Sequence, residues 1–186
     1  MGLSRRELLV GVGVGLLSAS VTKPAAATVA RSVSLRALVQ SSRRIVVMTA
    51  LVSDCHFEEL GRRRRIVTDT RVRIEEYIAK GSSSDSELMV RTLGGSVGRL
   101  GELVHGQARL AMGETCVAFL LQGPDGLHYV NGMAQGHYPL AREATRRLLR
   151  SPDMPEIIGI EGSAVKELVG SELSAAAARV RTLSSK

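Results

Sequence analysis

Between Ile66 and Ile74 the side chains alternate without a break. Ile66, Thr68, Thr70, Val72 and Ile74 fall on one side of an extended chain, and Asp69, Arg71, Arg73 and Glu75 fall on the other. A period of two is the spacing of a strand with one buried face; a helix would scatter these residues around its axis. Upstream, residues 45–52 are rich in β-branched and apolar side chains, and Gly61-Arg62-Arg63-Arg64-Arg65 punctuates the two stretches. Residues 45–60 and 65–79 are therefore predicted to form one long hairpin with a basic tip.

Shorter strands follow. Residues 88–92 alternate through Leu88, Val90 and Thr92, after a loop made of Gly81, Ser82, Ser83, Ser84, Asp85 and Ser86. Gly94-Gly95 ends that strand, and residues 103–104 and 108–110 could pair loosely around Gly106. Residues 115–121 are almost continuously apolar, as a strand buried on both faces would be. Gly123-Pro124-Asp125-Gly126 is a turn signal: proline presets φ, aspartate bonds its own backbone and glycine admits positive φ. Residues 128–130 and 133–140 carry the last strand or strands.

Helical spacing stands at both ends of this β region. In residues 28–42, Ser34 is a candidate N-cap, Val33 and Leu38 stand at the positions of a hydrophobic staple, and Leu35, Leu38 and Val39 share a face. Residues 142–150 are predicted as a helix stopped by Ser151-Pro152. Residues 164–183 are predicted as a longer one, with Val165, Val169, Leu173, Ala176, Val180 and Leu183 at spacings of three and four. The expected fold is mainly β: a small antiparallel β-barrel, OB-like as first choice, or a sandwich. The expected segments are 1–27 (signal peptide), 28–42 (short helix), 43–141 (β domain) and 142–186 (helical tail).

The first segment reads as an export signal. Ser4-Arg5-Arg6-Glu7-Leu8-Leu9 precedes a glycine-softened apolar stretch over residues 8–21. That stretch is shorter than the roughly 20 apolar residues of a membrane span. Lys23-Pro24 and then Ala25-Ala26-Ala27 follow, small residues suited to cleavage after Ala27. The pattern resembles the twin-arginine motif, with Leu8 where that motif has phenylalanine and Val10 where it has lysine. The resemblance implies a periplasmic or secreted protein, a twin-arginine translocase as partner during export, and no stable membrane span after cleavage. No cysteine follows to carry a lipid anchor.

A second resemblance covers most of residues 29–140. Its pieces are Val33-Ser34-Leu35 with Leu38-Val39 and Ser42, then Ile45-Val46-Val47, Ile66-Val67-Thr68, Arg91-Thr92-Leu93-Gly94-Gly95, Gly113-Glu114 before an apolar strand, and Ala134-Gln135-Gly136 before Tyr138. Together they resemble a set of uncharacterised exported bacterial proteins of the kind found in myxobacteria-like genomes. That resemblance implies one β domain and brings no catalytic residues with it.

Charge points to the partner class. The chain has 25 Lys and Arg against 18 Asp and Glu, a formal net charge of +7. Such a balance favours an anionic surface or polysaccharide, and export makes nucleic acid an unexpected partner. Trp is absent and aromatics make up only 3% of residues, which weakens any stacking platform for bases or sugars.

Four groups of residues could carry chemistry. Arg62, Arg63, Arg64 and Arg65 could grip an anion at the hairpin tip, or simply be solvated. Arg99 sits in a glycine-rich run, residues 94–101, which lacks the Gly-Lys-Ser/Thr and the following helix of a phosphate loop. Cys55 and Cys116 could form a disulfide in an oxidising compartment, or either could serve as a nucleophile beside a distant histidine. Cys55 and His56 are adjacent, so a strand would point them to opposite faces. The histidines His56, His105, His128 and His137 show no metal-ligand spacing, and no cofactor motif is present. Glu58-Glu59 and Glu75-Glu76 are solvated pairs unless one cleft collects them. The leading expectation is a non-catalytic binding or accessory module. The alternatives are a Cys or metal-dependent hydrolase, and a binder of anionic surfaces through the arginine tip.

Overall fold

The long hairpin dominates the architecture. A computed structural model describes residues 29–61, 63–81 and 85–185. In it, strands β2 (Arg44–Leu60) and β3 (Arg63–Ala79) pair antiparallel along their whole length, from Ile45 with Ala79 to Leu60 with Arg63. Three register shifts, between Ile45/Val46, Val47/Met48 and Ala50/Val52, interrupt this ladder, with Ile78 and Glu75 of β3 and Leu51 of β2 as the extra residues. The first half of β2 also pairs with β7 (Thr115–Gln122), from Arg44 with Leu120 to Thr49 with Thr115. On the other side, β3 pairs with β4 (Glu87–Leu93), β4 with β8 (His128–Val130), and β8 with β7. The six-stranded sheet thus closes into a ring through β2–β7, and β9 (His137–Pro139) occupies the rest of the β7 edge beside β8.

Burial explains why some strands alternate and others do not. Val46, Met48 and Ala50 of β2 meet Val72, Leu88, Val90, Cys116, Ala118, Leu120 and Val130, so all five ring strands share one inner cluster. Ala108 and Leu110, from the loop between β4 and β7, join it. Ile45, Val47, Val117 and Phe119 point the other way, into a second cluster beneath the helices. Residues 45–48 and 116–120 therefore have no wet face, and their sequence is a continuous apolar run. From Asp54 onwards β2 is polar on its outer side, and alternation returns.

The helices cover the β2–β7 side of the ring. Helix α1 (Leu35–Ser41) starts where the Ser34 hydroxyl accepts the Ala37 N–H at 3.2 Å, the cap expected from sequence. Leu35, Leu38 and Val39 are fully buried against Phe119, Tyr138 and Leu148. Phe119 and Tyr138 meet edge to face at 6.1 Å. Helices α2 (Ala164–Leu168) and α3 (Leu173–Ser184) add Ala164, Leu168, Leu173, Ala176, Ala177 and Val180 to the same cluster. The tail thus packs on its own β region.

Several expectations are corrected. Residues 28–42 are not one helix: β1 (Val29–Arg31) pairs parallel with β10 (Glu156–Ile158) before α1 begins. The sheet is mixed rather than antiparallel throughout, because β4 and β8 run parallel. Residues 103–104 and 108–110 form no strand pair; they belong to a loop that delivers Ala108 and Leu110 to the ring. Residues 142–150 are not helical. Their backbone is spent on neighbours instead: Leu148 N–H bonds Ser171 O at 2.9 Å and Leu149 N–H bonds Pro139 O at 2.7 Å. Burying Leu148 completely fixes that path. Residues 164–183 are two helices, because Gly170 takes φ 83° between them. Among the described residues no helix is long and apolar enough to cross a membrane.

Candidate functional site

Beyond Val67, where β4 stops pairing, the β2–β3 hairpin continues as an arm. Its tip carries the arginine run. Arg63 and Arg64 are exposed, Arg64 lies 4.1 Å over the Phe57 ring, and Arg65 is ion-paired with Glu58 at 2.5 Å. Arg62 lies outside the described residues, as do Arg5, Arg6 and the expected cleavage point at Ala27.

The glycine-rich segment is a flap across the inner side of this arm. Strands β5 (Gly95–Val97) and β6 (Leu100–Glu102) form a small hairpin whose turn is Gly98-Arg99, with Arg99 exposed. Thr68 donates to Gly94 O at 2.7 Å, and Ile66 N–H to a Glu102 carboxylate oxygen at 2.6 Å. A Cβ on Gly95 would lie 2.5 Å from Thr68 Oγ1 and 2.9 Å from Cys55 Sγ, so glycine is needed for contact, not for holding phosphate. Arg99 and the tip arginines belong to separate turns.

On the outer side of the arm a charge network crosses the strands. Asp54, Asp69, Arg91 and Tyr129 stand opposite one another across β2, β3, β4 and β8. Arg91 grips both Asp69 oxygens at 2.6 Å and reaches Glu58 at 2.5 Å. The bond to Asp69 holds the Arg91 guanidinium more firmly protonated. His56 Nε2 lies 3.8 Å from Asp69 and 3.5 Å from Arg91 Nη2. Arg91 escaped the sequence reading because its partners come from two other strands. Their mutual pairing braces the base of the arm.

The cysteines are not brought together. Both are free. Cys116 stands opposite Met48 in the ring, whereas Cys55 stands opposite Thr68, seven positions further along β2, so the possible disulfide is not formed. Burial pushes the Cys116 thiol well above its ordinary range and leaves it protonated. Cys55 contacts the Thr68 hydroxyl at 3.2 Å, on the face opposite His56. Among the described residues no group of three or more His, Cys, Asp and Glu is placed to hold a metal ion.

A different constellation lies at the start of β7, where no spacing announced it. Glu114 precedes the strand, His137 opens β9, and Ser151 lies on the segment beyond. Ser151 Oγ is 3.1 Å from His137 Nδ1, and His137 Nε2 is 3.7 Å from Glu114 Oε1. Both of these last two atoms are buried and without a hydrogen-bond partner. Desolvation lowers the His137 pKa to about 4 and raises that of Glu114. The imidazole is therefore neutral near pH 7, and no ion pair joins them. The order serine, imidazole, carboxyl is that of a nucleophilic relay, but Ser151 is only 2% exposed and meets no substrate. Its hydroxyl orients the ring.

Glu114 also lines a cleft of about 520 Å³ between residues 111–115 and 139–149. Met112, Leu140 and Leu149 give it apolar walls, and Arg142 and Arg146 supply charge. Thr49 donates to Glu75, whose other oxygen accepts from Arg146 at 3.1 Å. The sequence signal that points here is Gly113-Glu114, a carboxyl at the head of an otherwise apolar strand.

No protein-family model, curated protein or solved structure matches the chain.

Proposed function

We propose that this chain is an exported, non-catalytic binding module built on an OB-type barrel, and that its basic arm contacts an acidic polysaccharide. The barrel reading is supported by strand order. The first four ring strands, β2, β3, β4 and β7, lie in the spatial order fourth-first-second-third, which is a Greek key. The fifth, β8, inserts between third and fourth. Barrels of this type bind oligomers on the face of their second and third strands and on the loop joining the first and second. That loop is the arginine tip here, and this is the observation that carries the proposal. Aromatics are scarce on the arm, so recognition rests on charge rather than stacking. Export is supported by the Ser4-Arg5-Arg6 pattern and the Ala25-Ala26-Ala27 stretch.

The test is retention of the mature chain on alginate beads at low salt, with neutral agarose as control. Retention on alginate that fades near 0.1 M salt, where the Debye length is about 10 Å, is the expected result. The triple variant Arg62→Ser, Arg63→Ser, Arg64→Ser should lose most of it. Unchanged retention in that variant sinks the proposal.

A further inference from the structure

We infer that the cleft between residues 111–115 and 139–149 is a binding site for a small amphipathic carboxylate, with Glu114 and Arg142 taking its anionic head and the apolar walls its body. This inference is independent of the polysaccharide reading and uses a different part of the molecule.

The walls require a cover. Met112 is 70% and Leu149 45% exposed, and both flank one cleft rather than being scattered singly. Glu114, on the cleft lining, belongs to an incompletely paired polar contact behind it. Glu114 Oε1 and the fully buried His137 Nε2 face each other at 3.7 Å, and neither has a hydrogen bond. A buried polar atom without a partner is a cost that a ligand or water can relieve. Ser151 holds the ring from its other nitrogen, so the arrangement is positioned rather than loose.

Charge selects the head group. Arg142 has no ion-pair partner among the described residues, and its field acts on Glu114. Arg146 is held by Glu75 at 3.1 Å. Glu114 and Glu143 line the cleft beside the two guanidinium groups, so selection of an anion rests on Arg142, the one of the two arginines without an ion pair among the described residues. Desolvation keeps Glu114 protonated to higher pH than an ordinary carboxylic acid. A protonated carboxyl is a hydrogen-bond donor, so Glu114 and Arg142 together offer an acid O–H and a guanidinium to one carboxylate. A bare alcohol would leave Arg142 without a counter-charge.

Binding must then take up protons. An anion beside Glu114 favours its protonated form, so affinity falls as pH rises through the Glu114 pKa. The other groups near Glu114 are His137 from β9, Cys116 from β7, and Arg142 and Glu143 from the segment after β9, with Glu75 of β3 beyond Cys116. His137 and Cys116 remain neutral in the range tested.

The experiment is calorimetric titration of the full-length chain with octanoate, octylamine and octanol, which share one tail. Octanoate should bind saturably at one site, octylamine should not bind, and octanol should bind about tenfold more weakly or less. Arg142→Gln should weaken octanoate about tenfold, and circular dichroism should show that this exposed position leaves the fold intact. Glu114→Gln should keep binding yet lose the decline in affinity with rising pH. The inference is overturned by any of four results: no saturable octanoate binding, an octylamine or octanol affinity equal to that of octanoate, an Arg142→Gln variant that binds as well as the parent, or a pH decline that survives Glu114→Gln. The triple arginine-tip variant should bind octanoate normally, so failure of one proposal is not failure of the other.

Discussion

The two sides of the ring are built from the same strands and obey opposite rules. Under the helices, Ile45, Val47, Val117 and Phe119 are sealed against α1, α2 and α3, and the cluster they form is apolar apart from the Tyr138 hydroxyl. On the β3–β4 side, the arm and the sheet at its base carry Asp54, His56, Glu58, Arg65, Asp69 and Arg91 on their outer surface. Strand β2 passes from one regime to the other within its own length. The difference teaches where stability and where contact reside. Apolar burial of the first side contributes about 25 cal/mol per Å² removed from water. The second side gives up that gain and keeps a solvated, shaped and charged surface.

The largest expected effect strikes the sealed side. Phe119→Ala removes a fully buried ring from beside Tyr138 and should destabilise the fold by about 3–5 kcal/mol. On the open side Met89, which is 40% exposed, should tolerate alanine within about 0.5 kcal/mol. Urea unfolding of the two variants measures the contrast. Equal losses would mean that the two faces share the load.

Acid should act through a buried residue on the other face of β9, opposite Ala118 of the inner cluster. His137 is buried with a pKa near 4, against 6.5 when unfolded. The unfolded chain therefore binds the proton first. The stability tied to this residue is complete above pH 6.5 and falls as pH drops towards 4, by on the order of 3 kcal/mol at about 1.4 kcal/mol per unit. His137→Gln should flatten that part of the pH profile of the urea midpoint. A profile that keeps its slope would place the acid sensitivity elsewhere.

The third test sharpens the view of the arm as braced by charge. Arg91→Met leaves Asp69 without its bidentate partner and should destabilise by about 2 kcal/mol, less than a fully buried pair because both side chains keep some contact with water. Adding Asp69→Leu should recover part of the loss, since an apolar pair can replace a paired charge. A double variant no better than the single one would show that Arg91 acts through packing alone.

These contrasts also explain what was legible in the residues. The β2–β3 hairpin could be read because alternation is local and spans many residues; the Ser34 cap could be read because its partner is three residues away. Strands β1 and β10 escaped because three-residue strands at opposite ends of the described chain leave no periodic trace. Residues 142–150 precede a helix-stop signal, Ser151-Pro152, but long-range backbone bonds to Pro139 and Ser171 set their path instead. The ring closed through β2–β7, a pairing of strands about 70 residues apart in the chain that no local pattern reveals. Of this region, Glu114 was legible only as one piece of a resemblance and His137 only as one of four histidines without ligand spacing. His137 and Ser151 become neighbours of Glu114 through folding, since their separations of 23 and 14 residues match no helix or strand spacing.

The smallest expected effect is the most discriminating for the arm. Arg63→Ser with Arg64→Ser should change stability by no more than about 1 kcal/mol. Arg63 and Arg64 are exposed, and neither has an ion pair among the described residues. The contact of Arg64 with Phe57 is a cation–π pair at an exposed site, of the order of 0.5–1 kcal/mol at most. Arg65, in contrast, is bound to Glu58 and through it to Arg91, so Arg65→Ser should cost more than either neighbour. The described arginines of the run thus divide into a structural residue, Arg65, and two residues free for a partner, Arg63 and Arg64. Thermal unfolding in low and high salt separates them, because the Arg65 contribution shrinks with screening while Arg63 and Arg64 contribute little at either salt. A loss above about 1 kcal/mol for the Arg63/Arg64 pair would make the tip part of the scaffold, and the division between a sealed side that stabilises and an open side that binds would fail.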